Sequence, residues 1–393
     1  MPDPTKYRIL HELGAGGMGT VCQGFLVGQA GFQRPIVIKQ LRNREPEHLR
    51  LFVEEARRYA VLDHENIGRI FDFEMVRGEP CIILEYIDGW TVCEYLDRQR
   101  ELGRPPDPDL VVFIVSRVCR ALQYVFEKAA IVHRDISPSN VMMTTEGTVK
   151  LIDFGIAIQG DGDGCLAGKP SYMAPEMVVD LRADHRSDIF SLSTVLYEML
   201  TGERLFRGDS IAEILTQVAE AHIPSAREKT PDLPDGVIEI LERGLKRDPS
   251  KRFASAGAMG EACEHFLYDK GYGPTNLTLK HHLAFLFPDR QRAAADPEER
   301  FPLVEGTLIS ARDRPTVAGL RPAGGTVVSP LDATYTRVVP QRPPTEPPRP
   351  SGGARTAARA RGPLTRTTVT PPPHLKSGRS QRAKHGSRNR PRA

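Results

Sequence analysis

The sequence has no run of about 18 apolar residues, so it offers no segment suited to crossing a membrane. Its first residues, MPDPTKYRIL, lack a basic stretch followed by an apolar one, so no secretory signal segment is predicted. The 6 cysteines include no Cys-x-x-Cys pair, and their spacing matches no zinc site. These absences predict reduced thiols and a cytoplasmic location.

Acidic residues are missing from residues 351–393, which hold 11 Arg or Lys. Residues 301–350 hold 6 basic and 4 acidic residues, so the last 93 residues carry +13. The whole chain carries +3, which leaves −10 for residues 1–300. The last 93 residues also hold 15 of the 33 prolines and few apolar residues, which predicts a disordered basic tail over 301–393.

The rest of the chain changes from strand patterns to helix patterns. Short apolar or alternating runs such as YRILHEL, TVCQGFLV and PIVIKQL lie within residues 7–90, and helical runs dominate from about residue 91. Strands followed by helices predict an α+β, bilobal enzyme fold. We assign a domain to 7–270 and a short helical extension to 271–300, where NLTLKHHLAFLF has helical character.

A glycine-rich segment, LGAGGMGTV, joins two predicted strands at residues 13–21. Its glycines, Gly14, Gly16 and Gly19, would let backbone N–H groups approach phosphate oxygens. Because a strand rather than a helix follows, the segment does not fit a dinucleotide-binding loop. Lys39 ends the next strand and Glu55 lies in a predicted helix. Taken alone, each reads as an exposed charge.

Three further motifs follow in a fixed order. His133-Arg134-Asp135 precedes Asn140, Asp153 opens the tripeptide DFG, and Glu176 closes APE. Chance does not give all of these motifs in this order and spacing. Over roughly residues 7–270 the chain resembles the protein kinase family, and its GGMG loop and compact inserts resemble the bacterial Ser/Thr branch.

The resemblance implies a role for each motif residue. Lys39, positioned by Glu55, would hold the α- and β-phosphates of ATP, and Asp135 would orient the acceptor hydroxyl. Asn140 and Asp153 would hold Mg²⁺ through hard oxygen ligands. Glu176 would pair with Arg252, and Asp188 would bond the backbone of the His133–Arg134 turn. The phosphates would lie under the loop residues Leu13, Gly14, Ala15, Gly16, Gly17, Met18 and Gly19.

The resemblance also implies a slot for adenine. Val21 and Val37 would lie above the ring and Met142 below it. Backbone groups of Glu85 and Ile87, behind Leu84, would bond its edge. Val37 stands where the family commonly has alanine, so we expect a narrower slot and slightly weaker nucleotide binding.

Two departures from the family pattern fall at positions that touch each other in relatives. Ser137 stands where the Ser/Thr branch has a lysine, and Lys169 stands where it has a threonine. One interpretation is a compensated exchange, in which the Lys169 ammonium reaches over Asp135 and acts as a catalytic group. The other is that Lys169 is a solvated loop residue and Ser137 marks a weakened enzyme.

The resemblance therefore predicts an ATP- and Mg²⁺-dependent kinase that phosphorylates Ser and Thr of proteins, including itself, in bacterial signalling. The alternative is a pseudokinase scaffold that binds nucleotide and presents its tail. A small-molecule kinase fits less well because the APE segment builds a platform for a protein. Phosphorylated tail threonines would suit a phosphothreonine-recognition domain. Nucleic acid is not an expected partner because the tail has few aromatic residues. The oligomeric state is left open.

Overall fold

An antiparallel sheet forms the N-terminal lobe. The structure, a computed structural model, describes residues 6–16, 19–29, 32–41, 46–153, 168–269 and 271–288. The sheet has five strands in the order β1-β2-β3-β5-β4. Their bounds are β1 Tyr7–Gly16, β2 Gly19–Val27, β3 Gln33–Leu41, β4 Ile70–Val76 and β5 Glu79–Glu85, with helix α1 Pro46–Tyr59 between β3 and β4.

Alternation along β3 gives this sheet two different faces. Ile36 and Ile38 are buried on one face in a small apolar cluster. Val37 and Lys39 project from the opposite face because successive side chains of a strand point to opposite sides. Helix α1 covers part of that second face through Phe52. The sheet therefore leaves Lys39 on the side that faces the rest of the molecule.

The C-terminal lobe is helical and carries a second, three-stranded sheet. The strands are β6 Gly89–Thr91, β7 Val141–Thr144 and β8 Val149–Leu151. The helices are α2 Val92–Glu101, α3 Pro108–Ala129, α4 Pro175–Val179, α5 His185–Thr201, α6 Ile211–Glu220, α7 Ala226–Lys229, α8 Asp235–Gly244, α9 Ala256–Tyr268 and α10 Asn276–Leu286. The predicted bilobal α+β fold is thereby confirmed.

Helices α3 and α5 form the centre of this lobe. Both are buried along most of their length and contribute to one apolar core. Asp184 caps the start of α5 by accepting from the backbone of Arg186. The helix stops at Gly202, whose φ of 74° is left-handed. The two caps fix where α5 begins and ends. The first turn of α5 supplies a residue to the site.

Helix α10 packs on the C-terminal lobe next to α2 and β6. The rings of Trp90 and Phe287 stack at 4.6 Å, and Arg98 Nε donates to Leu286 O at 2.9 Å. The proposed division into 7–270 and 271–300 stays a prediction. The predicted tail, 301–393, lies outside the described residues. Within the described ranges, no helix combines the length and the apolar character needed to cross a membrane.

A buried ion pair joins α4 to the loop before α9. Arg252 Nη1 and Nη2 donate to the two carboxylate oxygens of Glu176 at 2.7 and 2.8 Å. The remaining donors of the guanidinium reach the backbone oxygens of Lys246, Arg186 and Arg247. All five N–H donors of Arg252 therefore have acceptors. The predicted Glu176–Arg252 pair is confirmed.

Replacing Arg252 should destabilise the protein strongly. Arg252→Ala leaves the Glu176 carboxylate without its cation and is expected to cost about 3–5 kcal/mol in free energy of unfolding. Arg252→Lys should recover little of that, because an ammonium supplies three donors rather than a planar set of five. Urea unfolding followed by circular dichroism measures both.

The matched control is Arg227→Ala, since Arg227 pairs with an exposed carboxylate, that of Asp235. This control should change the free energy of unfolding by about 0.5 kcal/mol or less. Wild-type stability in Arg252→Lys would contradict the role assigned to the bidentate pair.

Candidate active site

The loop of residues 133–140, named the catalytic loop below, is anchored by a buried carboxylate at the start of α5. Asp188 accepts from the backbone N–H groups of His133 and Arg134 at 2.7 and 2.8 Å. Burial raises the pKa of Asp188 to about 7, although the two N–H donors oppose that shift. Arg134 adopts a left-handed φ of 65°, which costs a non-glycine residue free energy. The two hydrogen bonds hold the turn in that conformation, as the sequence predicts.

His133 ties the catalytic loop to the segment before Asp153. Its Nδ1 accepts from the backbone N–H of Asp135 at 3.3 Å, which assigns the ring proton to Nε2. Nε2 then donates to the backbone oxygen of Ile152 at 3.2 Å. Burial lowers the pKa of His133 to about 4, so the ring is neutral near pH 7. Because the ring is neutral, it keeps this tautomer and both hydrogen bonds. These bonds hold the backbone of Asp135 at a fixed distance from the segment before Asp153.

Asp135 and Asn140 form a close pair at the centre of the site. Asn140 Nδ2 donates to both the backbone oxygen and Oδ2 of Asp135 at 2.7 Å. Both side chains are nearly buried. A carboxylate has about four acceptor positions, of which the Asn140 side chain uses one. The two hydrogen bonds fix the Asp135 carboxylate relative to its own backbone.

The backbone before the APE segment closes over this pair. Gly168 has a φ of 106°, and a Cβ there would lie 2.7 Å from the Arg134 carbonyl oxygen. The glycine therefore allows a close approach that other residues would prevent. The next backbone N–H, that of Lys169, donates to Asp135 Oδ1 at 3.2 Å.

The Lys169 side chain also turns toward the catalytic loop. Its ammonium donates to Ser139 Oγ, and Ser139 Oγ lies 3.2 Å from the buried hydroxyl of Ser137. The described contact of this ammonium is thus with Ser139, whereas the backbone of Lys169 contacts Asp135. Lys169 reaches the neighbourhood of Ser137, but its catalytic role remains a prediction. Sequence reasoning missed Ser139, whose only signal is its position next to Asn140.

Lys39 and Asp153 meet across the opening between the lobes. Lys39 Nζ lies 2.6 Å from Asp153 Oδ1. Burial raises the pKa of Asp153, but the adjacent Lys39 charge outweighs that effect and holds the pKa below its ordinary value. Lys169 lowers it further. The carboxylate is therefore ionised, and it fits Mg²⁺ together with the amide oxygen of Asn140 because both are hard oxygen ligands.

Some of the residues predicted to enclose adenine share the sheet face that carries Lys39. Val21 lies opposite Lys39 in the sheet register, and Val37 lies opposite Leu84. Directly opposed side chains share one face, so these four side chains lie together on the face that α1 partly covers. This arrangement fits the predicted upper wall of a nucleotide slot.

Met142 belongs to the lower sheet, where it lies opposite Lys150. The Lys150 ammonium contacts Glu85 Oε2 at 3.0 Å. Since Met142 and Lys150 share a face, Met142 points toward the segment that links the lobes. Ile87, in the same linking segment, is buried. The Lys150–Glu85 contact thus joins the lower sheet to the end of β5, and the assembly of the whole slot stays a prediction.

The glycine-rich loop is described at both of its ends. Leu13 is exposed in β1, and Gly14, Ala15, Gly16 and Gly19 lie in the paired ends of β1 and β2. Gly17 and Met18 lie outside the described residues, as do the Phe and Gly of DFG. Glu55 lies in α1, but its side chain is also outside the described part. The Lys39–Glu55 contact stays a prediction.

The fold and this site define a protein kinase domain. The family model described as protein kinase domain matches residues 7–267. The chain belongs to the protein kinase domain family. Its predicted resemblance is confirmed.

Several relatives are about one-third identical to this chain over the aligned residues. The tyrosine-protein kinase MasK of Myxococcus xanthus (strain DK1622) is 33% identical over 298 residues, which cover 70% of this chain and 46% of MasK. The serine/threonine-protein kinase PknL of Mycobacterium tuberculosis (strain ATCC 25618 / H37Rv) is 32% identical over 268 residues, covering 66% of this chain and 65% of PknL. The chain therefore spans less than two thirds of the length of each.

A solved structure agrees with this assignment. The kinase domain of PknI from Mycobacterium tuberculosis superposes with a TM-score of 0.53 at 26% identity. The match covers 66% of this chain and 96% of the PknI domain.

Trimming Val37 should widen the nucleotide slot. Val37→Ala is expected to raise ATP affinity a few-fold, because removing two methyl groups relieves crowding against the ring. Isothermal titration with ATP and Mg²⁺ measures the change. Val27→Ala, at the far end of the same sheet, should bind ATP as the wild type does. Unchanged or weaker binding in Val37→Ala would contradict the predicted narrowing.

Proposed function

We propose that this protein transfers the γ-phosphate of ATP to serine and threonine hydroxyls of proteins. Two residue pairs carry this proposal. Asp135 is hydrogen-bonded to Asn140, and Lys39 is paired with Asp153. The first pair suits an acceptor hydroxyl, and the second suits a phosphate chain and a divalent cation. Phosphoryl transfer needs positioned charges and N–H donors rather than a covalent nucleophile, and these residues supply them.

The acceptor hydroxyl would bond to Asp135, whose carboxylate orients it and takes its proton as the new P–O bond forms. Asn140 holds that carboxylate in place. Lys39 would bind the α- and β-phosphates as the leaving group gains charge. Mg²⁺, held by Asp153 and Asn140, would neutralise charge on the phosphates when bound.

Lys169 would supply the cation that Ser137 does not. A cation about 4 Å from a unit of phosphate charge is worth on the order of 4 kcal/mol at an effective dielectric constant near 20. The hydrogen bond between Lys169 and Ser139, beside the buried Ser137, supports the compensated exchange over a solvated lysine. The Lys169 charge is also one of several that lower the pKa of the Asp153 carboxylate.

The choice of acceptor rests on the relatives and on the segment before α4. PknL, and PrkC of Bacillus subtilis (strain 168) at 33% identity, are named serine/threonine-protein kinases, whereas MasK is named a tyrosine-protein kinase. The sequence Tyr172–Glu176 resembles the Ser/Thr branch. These names give no support to the pseudokinase scaffold. The first experiment below distinguishes phosphate transfer to tyrosine from transfer to serine and threonine.

The finer features of this function come from the sequence. The cytoplasmic location, the autophosphorylation of tail threonines and their capture by a phosphothreonine-recognition domain remain our proposals. Thr307, Thr316, Thr326, Thr368 and Thr370 are the candidate acceptors in the tail.

Asp135→Asn should abolish most transfer while keeping the shape of the side chain. Radiolabelled ATP with the full chain and a generic protein acceptor is expected to show a loss of about 10²–10⁴-fold. Phosphoamino-acid analysis should find label on serine and threonine in the wild type. Asp235→Asn, on an exposed carboxylate, is the control. No transfer by the wild type, or equal transfer by Asp135→Asn, would overturn the proposed function.

Lys169→Ala should slow transfer by roughly a thousandfold while leaving ATP binding nearly unchanged. The double variant Lys169→Thr with Ser137→Lys restores the common arrangement and should recover much of the rate lost in Lys169→Thr alone. Lys229→Ala, whose ammonium pairs with an exposed glutamate, is the control. Near-normal turnover in Lys169→Ala would show that Lys169 is a solvated residue.

A further inference from the structure

Ser139 stands between the Lys169 ammonium and the Asn140 side chain. Its Oγ accepts from Lys169 Nζ and lies 3.3 Å from Asn140 Oδ1. We infer that Ser139 is a positioning residue that fixes the Lys169 ammonium beside the Asp135–Asn140 pair. This inference rests on the proposed function, since it concerns how the same site holds its second cation.

A lysine in this place needs an acceptor to define its position. The ammonium ends a flexible four-carbon stem, and it carries three donors and no acceptor. The backbone of Lys169 is already fixed by the hydrogen bond to Asp135 Oδ1 at 3.2 Å. Once the backbone is held, a single side-chain hydrogen bond selects the conformation that turns toward the catalytic loop. Ser139 provides that hydrogen bond.

The neighbouring Ser137 hydroxyl is a second acceptor to which the Ser139 hydroxyl can donate. A hydroxyl has one donor and two acceptor positions. Ser139 can donate to Asn140 Oδ1, or to Ser137 Oγ at 3.2 Å. If Asn140 Oδ1 holds Mg²⁺, the proton of Ser139 turns to Ser137 and its lone pair remains available to Lys169. The pair of serines therefore supports the lysine with or without a cation on Asn140.

The turn itself does not require the Ser139 hydroxyl. Residues Pro138–Asn140 form a 3-10 turn, which is closed by the backbone bond from Asn140 N to Ser137 O at 3.0 Å. Ser139→Ala leaves both of those backbone groups in place. A positioning role and a purely structural role can therefore be separated by experiment.

The first experiment measures steady-state transfer and equilibrium ATP binding in Ser139→Ala and Ser139→Thr. Ser139→Ala should lower kcat about tenfold, because a hydrogen bond to a charged group is lost. KM and Kd for ATP should change less than about twofold, since Lys169 is assigned to the transferred phosphate. Ser139→Thr keeps the hydroxyl and should retain most of the wild-type kcat. A wild-type kcat in Ser139→Ala would overturn the inference.

The second experiment tests whether Ser139 acts through Lys169. In a double-mutant cycle, Ser139→Ala should have no further effect on kcat in the Lys169→Met background. An equal loss in both backgrounds would overturn the inference while leaving the proposed function intact. Inactive wild-type protein would instead overturn the proposed function.

A third readout does not depend on activity. Acetylation of Lys169 by a soluble anhydride, followed by mass spectrometry, should be several-fold faster in Ser139→Ala because the ammonium loses its fixed partner. The matched control is Ser250→Ala, since Ser250 occupies the middle of another 3-10 turn, Pro249–Lys251, and bonds the Asp248 carboxylate. Ser250→Ala should label Lys169 at the wild-type rate. The same rate in Ser139→Ala would show that Ser139 does not hold the ammonium.

Discussion

Two adjacent backbone N–H groups of the catalytic loop donate to one buried carboxylate, that of Asp188. The bonds hold Arg134, the residue directly before Asp135, in a left-handed conformation. The His133 side chain then donates to the backbone oxygen of Ile152, one residue before Asp153. This hydrogen bond ties the Asp153 segment to the anchored loop. The position of both carboxylates in the site thus depends on a residue in the first turn of α5.

A second anchor brings the segment before α4 to this loop. The bidentate pair of Arg252 and Glu176 fixes the start of α4, and the tight approach of Gly168 to the Arg134 carbonyl sets the segment against Asp135. Lys169 lies between these two constraints. Its backbone has little freedom, so a single hydroxyl is enough to direct its side chain. The unusual lysine and the serines of the catalytic loop therefore form one local arrangement.

Much of the site could be predicted because the family fixes its motifs by order and spacing. Lys39, Asp135, Asn140 and Asp153 are polar residues at the ends of strands or in turns, and the pattern that surrounds them is specific. Ser139 could not be found this way. Its role depends on which atoms approach it from distant parts of the chain, and a serine carries no signal of such neighbours.

The sequence by itself determined the two-lobed α+β class and the two positions that depart from the family pattern. Periodicity and caps are local properties, so they can be read along the chain. Only the tertiary structure decided that the Lys169 ammonium meets Ser139 while its backbone meets Asp135. Lys169 and Asp135 are 34 residues apart, and their contact depends on anchors at Asp188 and Arg252, farther along the chain. Such contacts follow from packing, which no local pattern contains.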